Sequence, residues 1–186
     1  MKRRSPFTPV GHLGTKRMGE LAEIGFMYRA AGYGIGVAKP YGDSFPYDFL
    51  TQHGKRLLRV QVKSCFSSER HHKNGFPIIV SCHWGRGRLS YRLADVDFIA
   101  AFVAKYDAWY LIPMESLGER KNIRVYPGKR KPNHNKIRNG QYFGKYEQYR
   151  EAWHLLRDEN YSEKLQLTSL ELSAIVKKEA EQEEMR

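Results

Sequence analysis

The chain lacks the sequence features that mark several large classes of protein. Among its 186 residues only two are cysteines, Cys65 and Cys82, and they form no CxxC pair. A disulfide framework is therefore excluded, and the cysteines and histidines match no closed zinc pattern. No apolar run approaches the roughly 20 residues that a membrane-spanning helix needs, and no apolar stretch follows the basic start as in a secretion signal. We expect a soluble, cytoplasmic protein without a membrane partner.

Acidic residues are also few in comparison with basic ones. The chain has 20 Asp and Glu against 32 Lys and Arg, which gives a formal net charge of +12. Residues 158–186 carry −4, so that residues 1–157 hold +16. Such a field attracts polyanions, and nucleic acid is the commonest one in a cytoplasm. Charge alone leaves two alternatives open, a nucleic-acid-binding protein and a soluble protein with a basic surface.

What the chain does have is enough apolar and aromatic residues for one folded domain, 41% and 13% respectively. The spacing of apolar residues predicts a helix from about Thr15 to Ala31, with Met18, Leu21, Ala22, Ile24, Gly25, Tyr28 and Ala31 on its buried stripe. Strands are predicted over a short apolar segment at 33–38, over 47–51 and 56–63, and over the runs FPIIVSC, VDFIAAFV and AWYLIP. Two helices, at about 145–158 and 169–184, follow. This order predicts an α/β (α+β) domain with a central mixed sheet flanked by helices.

Basic residues cluster in three places outside these elements. The segment 127–140, PGKRKPNHNKIRNG, is predicted to be an exposed basic loop that contacts phosphates, together with the basic N-terminus (1–14). Arg86 and Arg88 form an RGR motif that could reach base edges in a groove. The candidate DNA-binding residues are Lys2, Arg3, Arg4, Arg86, Arg88, Lys129, Arg130, Lys131, Lys136 and Arg138. For each of them singly, a solvated surface position is the alternative.

The stretch FPYDFLTQHGKRLLRVQVKS, residues 45–64, concentrates polar groups on one face of a predicted hairpin. If the turn centres on residues 53–54, Asp48 faces Arg59 and is a diagonal neighbour of Gln61. Because side chains alternate along a strand, Arg59, Gln61 and Lys63 share a face with Asp48. The alternative for Asp48 is a strand-edge acid paired with Arg59.

This row of groups suits a particular chemistry. Diagonal neighbours lie roughly 7 Å apart at Cα, close enough for the carboxylate of Asp48 and the amide oxygen of Gln61 to share one divalent cation. Lys63 lies one step further along the same row. Mg²⁺ prefers oxygen ligands, and a metal with a neighbouring lysine can promote the attack of water on a phosphodiester. The hairpin therefore predicts phosphodiester hydrolysis with Mg²⁺, for which Mn²⁺ could substitute.

At this point the residues resemble a known family. Residues 19–64, GELAEIGFMYRAAGYGIGVAKPYGDSFPYDFLTQHGKRLLRVQVKS, are similar to the core of the PD-(D/E)xK nuclease superfamily. The nearest likeness is to its group I intron-associated homing endonucleases, with the archaeal Holliday junction resolvases more distant. The downstream ADVDFIAAFV, WYLIP and YREAW extend the likeness over most of residues 1–157. The resemblance implies a restriction-endonuclease-like core.

The resemblance also implies roles for single residues. Asp48 matches the metal-binding aspartate, Lys63 the catalytic lysine, and Glu23 the helical glutamate that completes the site, with Glu20 the second choice. Gln61 stands where most members have Asp or Glu, which removes one negative charge and should weaken metal binding. The expected catalytic residues are Glu23, Asp48, Gln61 and Lys63. The expected metal ligands are Asp48, Gln61, the Val62 carbonyl and Glu23.

We therefore expect a metal-dependent endodeoxyribonuclease, most simply a site-specific homing-type enzyme acting on double-stranded DNA. A junction resolvase and a catalytically degenerate DNA-binding protein are the alternatives. Cutting both strands implies a symmetric homo-oligomer, such as a homodimer. The nuclease-like domain is predicted over residues 1–157, and a C-terminal helical extension, a possible dimer surface, over 158–186.

Overall fold

The computed structural model describes residues 13–42, 44–67, 75–84, 87–127, 137–138, 141–142 and 144–158. Within these ranges the chain forms two α-helices and eleven strands, besides short 3-10 turns. The helices are α1 (Thr15–Gly32) and α2 (Met114–Leu117). The strands are β1 (Gly36–Ala38), β2 (Phe49–His53), β3 (Arg56–Cys65), β4 (Phe76–Ile79), β5 (Ser81–Trp84), β6 (Gly87–Ser90), β7 (Phe98–Val103), β8 (Ala108–Pro113), β9 (Asn122–Val125), β10 (Ile137–Arg138) and β11 (Gln141–Tyr142).

Five of the strands form the central sheet, in the order β1-β2-β3-β7-β8. The pair β3 and β7 is parallel, and the other neighbouring pairs are antiparallel. The remaining strands form three two-stranded sheets, β4 with β9, β5 with β6, and β10 with β11. The mixed sheet and its flanking helices confirm the predicted fold class.

The core lies on both faces of this sheet, and β7 joins its two halves. All six residues of β7 are buried, as expected of a strand covered on both sides. Alternate side chains enter the two apolar clusters. One face carries Phe98, Ala100 and Phe102, and the other carries Ile99, Ala101 and Val103. The sheet is therefore a fixed platform for any site built on its edges.

Helix α1 packs on one face through a narrower stripe than predicted. Ala22, Gly25, Phe26 and Ala30 are its buried residues, whereas Ile24 and Tyr28, assigned to the buried stripe from the sequence, are 50% and 67% exposed. The Phe26 ring packs against Phe49 and two tryptophans, Trp109 and Trp153. Small residues on either side of Phe26 let the helix approach the sheet closely, and this contact decides which stripe of α1 is buried.

No helix in the described ranges is long and apolar enough to cross a membrane.

The predicted helix at 145–158 is wrong. Two 3-10 turns, Glu147–Tyr149 and Trp153–Leu156, occupy the segment instead. Between them Glu151 has a positive φ of 52°, and it bonds to both backbone groups of Trp109 at the edge of β8. An unpaired sheet edge needs such partners, and their geometry is incompatible with a continuous helix. The second predicted helix, at 169–184, lies outside the described residues.

Two other sequence-based assignments need correction. The FPIIVSC run is two strands rather than one, because β4 pairs with β9 while β5 pairs with β6. The 127–140 segment, predicted to be a loop throughout, contains strand β10, which pairs with β11. Strand β9 and helix α2 were not anticipated from the sequence.

The position of α1 should depend on Phe26 far more than on Ile24. We expect Phe26→Ala to lower the free energy of unfolding by about 3–5 kcal/mol, because it leaves a cavity among packed aromatic rings. Ile24→Ala, on the solvent side of the same helix, should cost about 1 kcal/mol or less. Urea denaturation followed by tryptophan fluorescence measures both, and equal losses would contradict the packing described for α1.

Candidate active site

The candidate site lies where strand β3 changes partners. Residues 56–60 of β3 pair with β2, and residues 60–65 pair with β7 on the other side. Val60 is the only position of β3 that is paired on both sides, opposite Phe49 of β2 and Phe98 of β7. Beyond Val60 the β2 side of β3 is an open edge, which exposes the backbone groups that β2 would otherwise pair.

Asp48 closes the first step of this open edge. Its amide donates to the Val60 carbonyl (3.0 Å), and its carboxylate Oδ2 accepts the Val62 amide (2.8 Å). The carboxylate thus replaces the backbone acceptor that β3 loses when β2 diverges. This bond holds the carboxylate of Asp48 against the open edge of β3.

The predicted register of the hairpin is wrong by two residues. The pairing places Leu50, not Asp48, opposite Arg59, because the turn is formed by Gly54 and Lys55. A shift of two residues keeps every side chain on its predicted face. Asp48 therefore still meets Gln61, and more directly than a diagonal neighbour would.

Gln61 links the carboxylate to the next carbonyl of the strand. Its side chain is buried, and Nε2 donates to Asp48 Oδ2 (2.5 Å) and to the Val62 carbonyl (3.2 Å). The N–H and C=O of one strand residue point to the same side, so that the Val62 carbonyl also faces the open edge. A half turn of the Gln61 amide exchanges its donor for its oxygen, and three oxygen groups can then face a common point.

Asp48 carries a charge that the protein leaves largely uncompensated. Burial raises the pKa of Asp48, the charge of Glu23 adds to this effect, and the Val62 amide, Lys63 and Gln61 oppose it. Within the described part of the chain no lysine or arginine forms an ion pair with Asp48. Its predicted alternative partner, Arg59, binds Asp97 instead.

Asp97 provides a direct comparison, because both aspartates immediately precede a phenylalanine that starts a strand. Asp97 accepts the Arg59 amide (2.7 Å) on the β7 side of β3, just as Asp48 accepts the Val62 amide on the β2 side. The Arg59 guanidinium also binds Asp97 through two nitrogens. Burial opposes the ionisation of Asp97, but Arg59 outweighs burial and holds its pKa below the usual range.

Lys63 lies two residues beyond Gln61 on the same face. Burial lowers the pKa of Lys63, while the charges of Asp48 and Glu23 and the nearby Cys82 oppose the shift. Its ammonium nitrogen is 5.2 Å from the centre of the Tyr91 ring. The lysine is therefore a partly desolvated cation within electrostatic reach of the half-buried Asp48 carboxylate.

Glu23 approaches this group from α1. Its side chain is 22% exposed, it forms a 2.6 Å ion pair with Lys39, and its charge acts on both Asp48 and Lys63. Glu20 binds Arg17 (2.8 Å), which lowers the pKa of Glu20. Of these two glutamates, Glu23 is the one whose charge acts on Asp48 and Lys63. The sequence analysis did not single out Lys39 or Tyr91, because neither belongs to the hairpin motif.

The donor chemistry fits a hard divalent cation. The described residues contain no cluster of three His, Cys, Asp or Glu side chains that could hold a metal. Because residue 61 is a glutamine, the available ligands are the half-buried Asp48 carboxylate, an amide oxygen and a backbone carbonyl, with Glu23 nearby. An all-oxygen set of low charge suits Mg²⁺ that keeps several waters better than it suits zinc.

Few of the predicted DNA-binding residues fall within the described ranges. Arg88 is exposed on β6, and the backbone of Arg138 belongs to β10. The others lie outside the described residues: Lys2, Arg3, Arg4, Arg86, Lys129, Arg130, Lys131 and Lys136. The C-terminal extension after residue 158 lies outside them as well.

Comparison with known proteins bears on this geometry. The family model described as PD-(D/E)XK endonuclease matches residues 13–149, which include α1 and the β2–β3 hairpin. The chain belongs to the PD-(D/E)XK endonuclease family. This match confirms the family predicted from the resemblance of residues 19–64, and the chain is a nuclease of this type. No curated protein matches its sequence.

Solved structures give further likenesses for this PD-(D/E)XK endonuclease. A bacterial homing endonuclease is similar at 30% sequence identity with a TM-score of 0.63, over 82% of this chain and 99% of the other. The Holliday junction resolvase Hjc of Archaeoglobus fulgidus is similar at 17% identity and a TM-score of 0.37, over 57% of this chain and 82% of the other. MepB is similar at 14% identity and a TM-score of 0.37, over 61% and 85%.

The contrast between the two aspartates should appear in stability. In the absence of metal we expect Asp48→Asn to raise the free energy of unfolding at pH 7 and Asp97→Asn to lower it. The folded-state pKa of Asp48 is raised, so ionisation opposes folding once the pH exceeds the ordinary value of about 3.9. That of Asp97 is depressed, so its contribution is present at neutral pH and is lost as the pH falls through the folded value.

Thermal unfolding in a chelator between pH 4 and 7 measures both effects. The gain from Asp48→Asn should shrink towards pH 4, and the loss from Asp97→Asn should shrink only at lower pH. Destabilisation by both variants at pH 7 would contradict the assignment of an uncompensated charge to Asp48.

Proposed function

We propose that this chain is a metal-dependent endodeoxyribonuclease that hydrolyses phosphodiester bonds of double-stranded DNA at a specific site, as homing endonucleases do. The observation that carries the proposal is the group at the open edge of β3. There a half-buried and largely uncompensated carboxylate, a buried amide and a backbone carbonyl lie near a half-buried lysine. A purely structural aspartate would be neutralised, as Asp97 is by Arg59.

Asp48, the Gln61 amide oxygen and the Val62 carbonyl are the proposed metal ligands, with Glu23 contributing from α1. Mg²⁺ bound there, or Mn²⁺ in its place, would stabilise the negative charge that develops on the scissile phosphate. Gln61 must turn its amide to present oxygen, giving up its bond to Asp48. The Val62 amide keeps Asp48 in place during that change, because its bond does not involve Gln61.

Lys63 and Glu23 are the remaining proposed catalytic residues. Lys63 can place its ammonium beside a phosphate oxygen at the open edge and offset the charge of the transition state. Glu23 can orient the attacking water or a metal ligand, once Lys39 releases it or shares it. Both groups are positioned by regular elements packed on the core, β3 and α1, rather than by loops.

A homing-type activity is favoured by the similarity, at 30% sequence identity, to a bacterial homing endonuclease. Each chain contains one such site, so cutting both strands calls for two copies related by a two-fold axis. We infer a homodimer or a higher symmetric homo-oligomer. The extension at 158–186 is a candidate surface for it, beyond a domain boundary near residue 157.

The basic residues named from the sequence are the proposed DNA contacts. Arg88 is exposed on β6, in the β5–β6 hairpin. This hairpin ends next to the candidate site, since Tyr91 directly follows β6 and its ring lies against Lys63. The clusters at 2–4 and 129–138 supply charge for phosphate contacts. Together they agree with the +12 net charge of the chain.

Cleavage of a plasmid library tests the proposal. Purified protein with Mg²⁺ or Mn²⁺ should cut library members that share one sequence, and sequencing of the ends gives the site and the stagger. We expect Asp48→Ala and Lys63→Ala each to lower the single-turnover rate by about 10³-fold or more, since each removes a group that acts in the transition state.

Asp97→Asn, an aspartate in the same structural position outside the site, is the matched control and should retain cleavage after correction for its lower stability. If the protein instead cuts four-way junctions regardless of sequence, its activity is that of a junction resolvase and not of a homing endonuclease. DNA binding without cleavage, equal in wild type and variants across the library, would leave only a DNA-binding protein.

The glutamine of the site gives a separate test that does not need activity. We expect Gln61→Glu to lower the melting temperature in a chelator, because a second carboxylate would face Asp48 without the Gln61 amide donor. Added Mg²⁺ should then raise the melting temperature more in Gln61→Glu than in wild type, at lower metal concentrations. Gln52→Glu, on the exposed side of β2, is the control and should show neither effect. An unchanged response to Mg²⁺ in Gln61→Glu would place the metal elsewhere.

A further inference from the structure

Tyr91 is a buried aromatic residue at the candidate site that the family motif does not include. It directly follows β6, its side chain is 8% exposed, and it packs in the apolar cluster on the Lys63 face of the sheet. The Lys63 ammonium nitrogen lies 5.2 Å from its ring centre. This distance is within the range of a cation–π contact, which is stronger where the cation is desolvated.

The backbone on both sides of Tyr91 is fixed. Before it, the Ser90 hydroxyl donates to the Glu119 carbonyl (2.6 Å). After it, Arg92 and Asp95 close a turn, and the Arg59 guanidinium binds carbonyls of that turn. The ring is therefore held by the framework, whereas a lysine has four rotatable side-chain bonds and holds no position by itself.

The Tyr91 hydroxyl has a pKa raised by burial, to which the charges of Cys82 and Asp48 add, so it stays protonated and neutral. Within the described chain it has no hydrogen-bond partner, and it forms no bond to Asp48, Gln61 or Lys63. The ring face, rather than the hydroxyl, is the part of Tyr91 that meets the lysine. Phenylalanine would preserve that part, and an aliphatic residue would remove it.

We propose that Tyr91 is the positioning residue of Lys63. Its ring holds the ammonium beside the Asp48 carboxylate at the open edge of β3, so that the cation is in place before DNA binds. This inference rests on the proposed function, since it assigns Tyr91 a role in that reaction through Lys63. A ring that only fills the core would matter for stability and not for the lysine.

Kinetics of three variants separate these roles. On the DNA site recovered from the plasmid library, Tyr91→Leu and Tyr91→Met should each lower the single-turnover cleavage rate by about tenfold. The DNA dissociation constant, measured with Ca²⁺ in place of Mg²⁺, should stay within about twofold of wild type, because the ring acts in the chemical step. Tyr91→Phe should cleave like wild type. The proposal is overturned if Tyr91→Phe is as slow as Tyr91→Leu, or if neither aliphatic variant is slow.

A spectroscopic measurement tests the contact without any cleavage. In protein labelled with ¹³C-lysine, the ring should shift the ε-methylene signal of Lys63 upfield from that of exposed Lys55. Lys63→Arg identifies the signal by its loss. The shift should persist in Tyr91→Phe and vanish in Tyr91→Leu and Tyr91→Met, of which either folded variant suffices.

The two proposals fail in different ways. A wild type that cuts no DNA overturns the proposed function. A wild type that cuts DNA but shows an unshifted Lys63 signal overturns only the role of Tyr91.

Discussion

The bond between the Asp48 carboxylate and the Val62 amide joins the fold of this protein to its candidate chemistry. Strand β3 loses its β2 partner after Val60, and its next free amide on that side is Val62. A side-chain acceptor is the least disruptive way to satisfy a buried amide at such a point. The same requirement places a carboxylate at an open sheet edge, beside a carbonyl that faces the same way. The same hydrogen bond thus completes the sheet at this edge and places a candidate metal ligand.

The surroundings of that carboxylate decide what it can do. Asp97 has the same local geometry on the opposite side of β3, but Arg59 neutralises it. We therefore assign Asp97 a structural role. Asp48 has only backbone and amide donors at contact distance, with Lys63 acting on it through space. A partly buried carboxylate without a paired cation is unfavourable for folding and favourable for binding a metal ion. We interpret this imbalance as the mark of a functional residue.

Gln61 partly offsets the cost of leaving the Asp48 carboxylate without a paired cation. A carboxylate at that position would repel Asp48 in the absence of metal, whereas the amide donates to it. The glutamine therefore suits a metal-free state that is better satisfied internally, and a metal site of lower charge. The rigid surroundings limit how far this group can shift: β7 is buried on both faces, Phe26 fixes α1, and the segment carrying Glu151 covers the edge of β8.

The sequence by itself determined the family, the α1 helix, the hairpin and the alternation that brings Asp48, Gln61 and Lys63 to one face. These features depend on local periodicity and on motif spacing, which tertiary contacts do not alter. The register of the hairpin, the stripe of α1 that is buried and the broken segment at 145–158 depended on the partners that each element meets. The motif already singled out Asp48, but only the tertiary structure showed that Asp97 has the same local geometry and is neutralised by Arg59. Arg59 lies two residues from Gln61 on the same face of β3, and the sheet pairing alone decides which aspartate it neutralises.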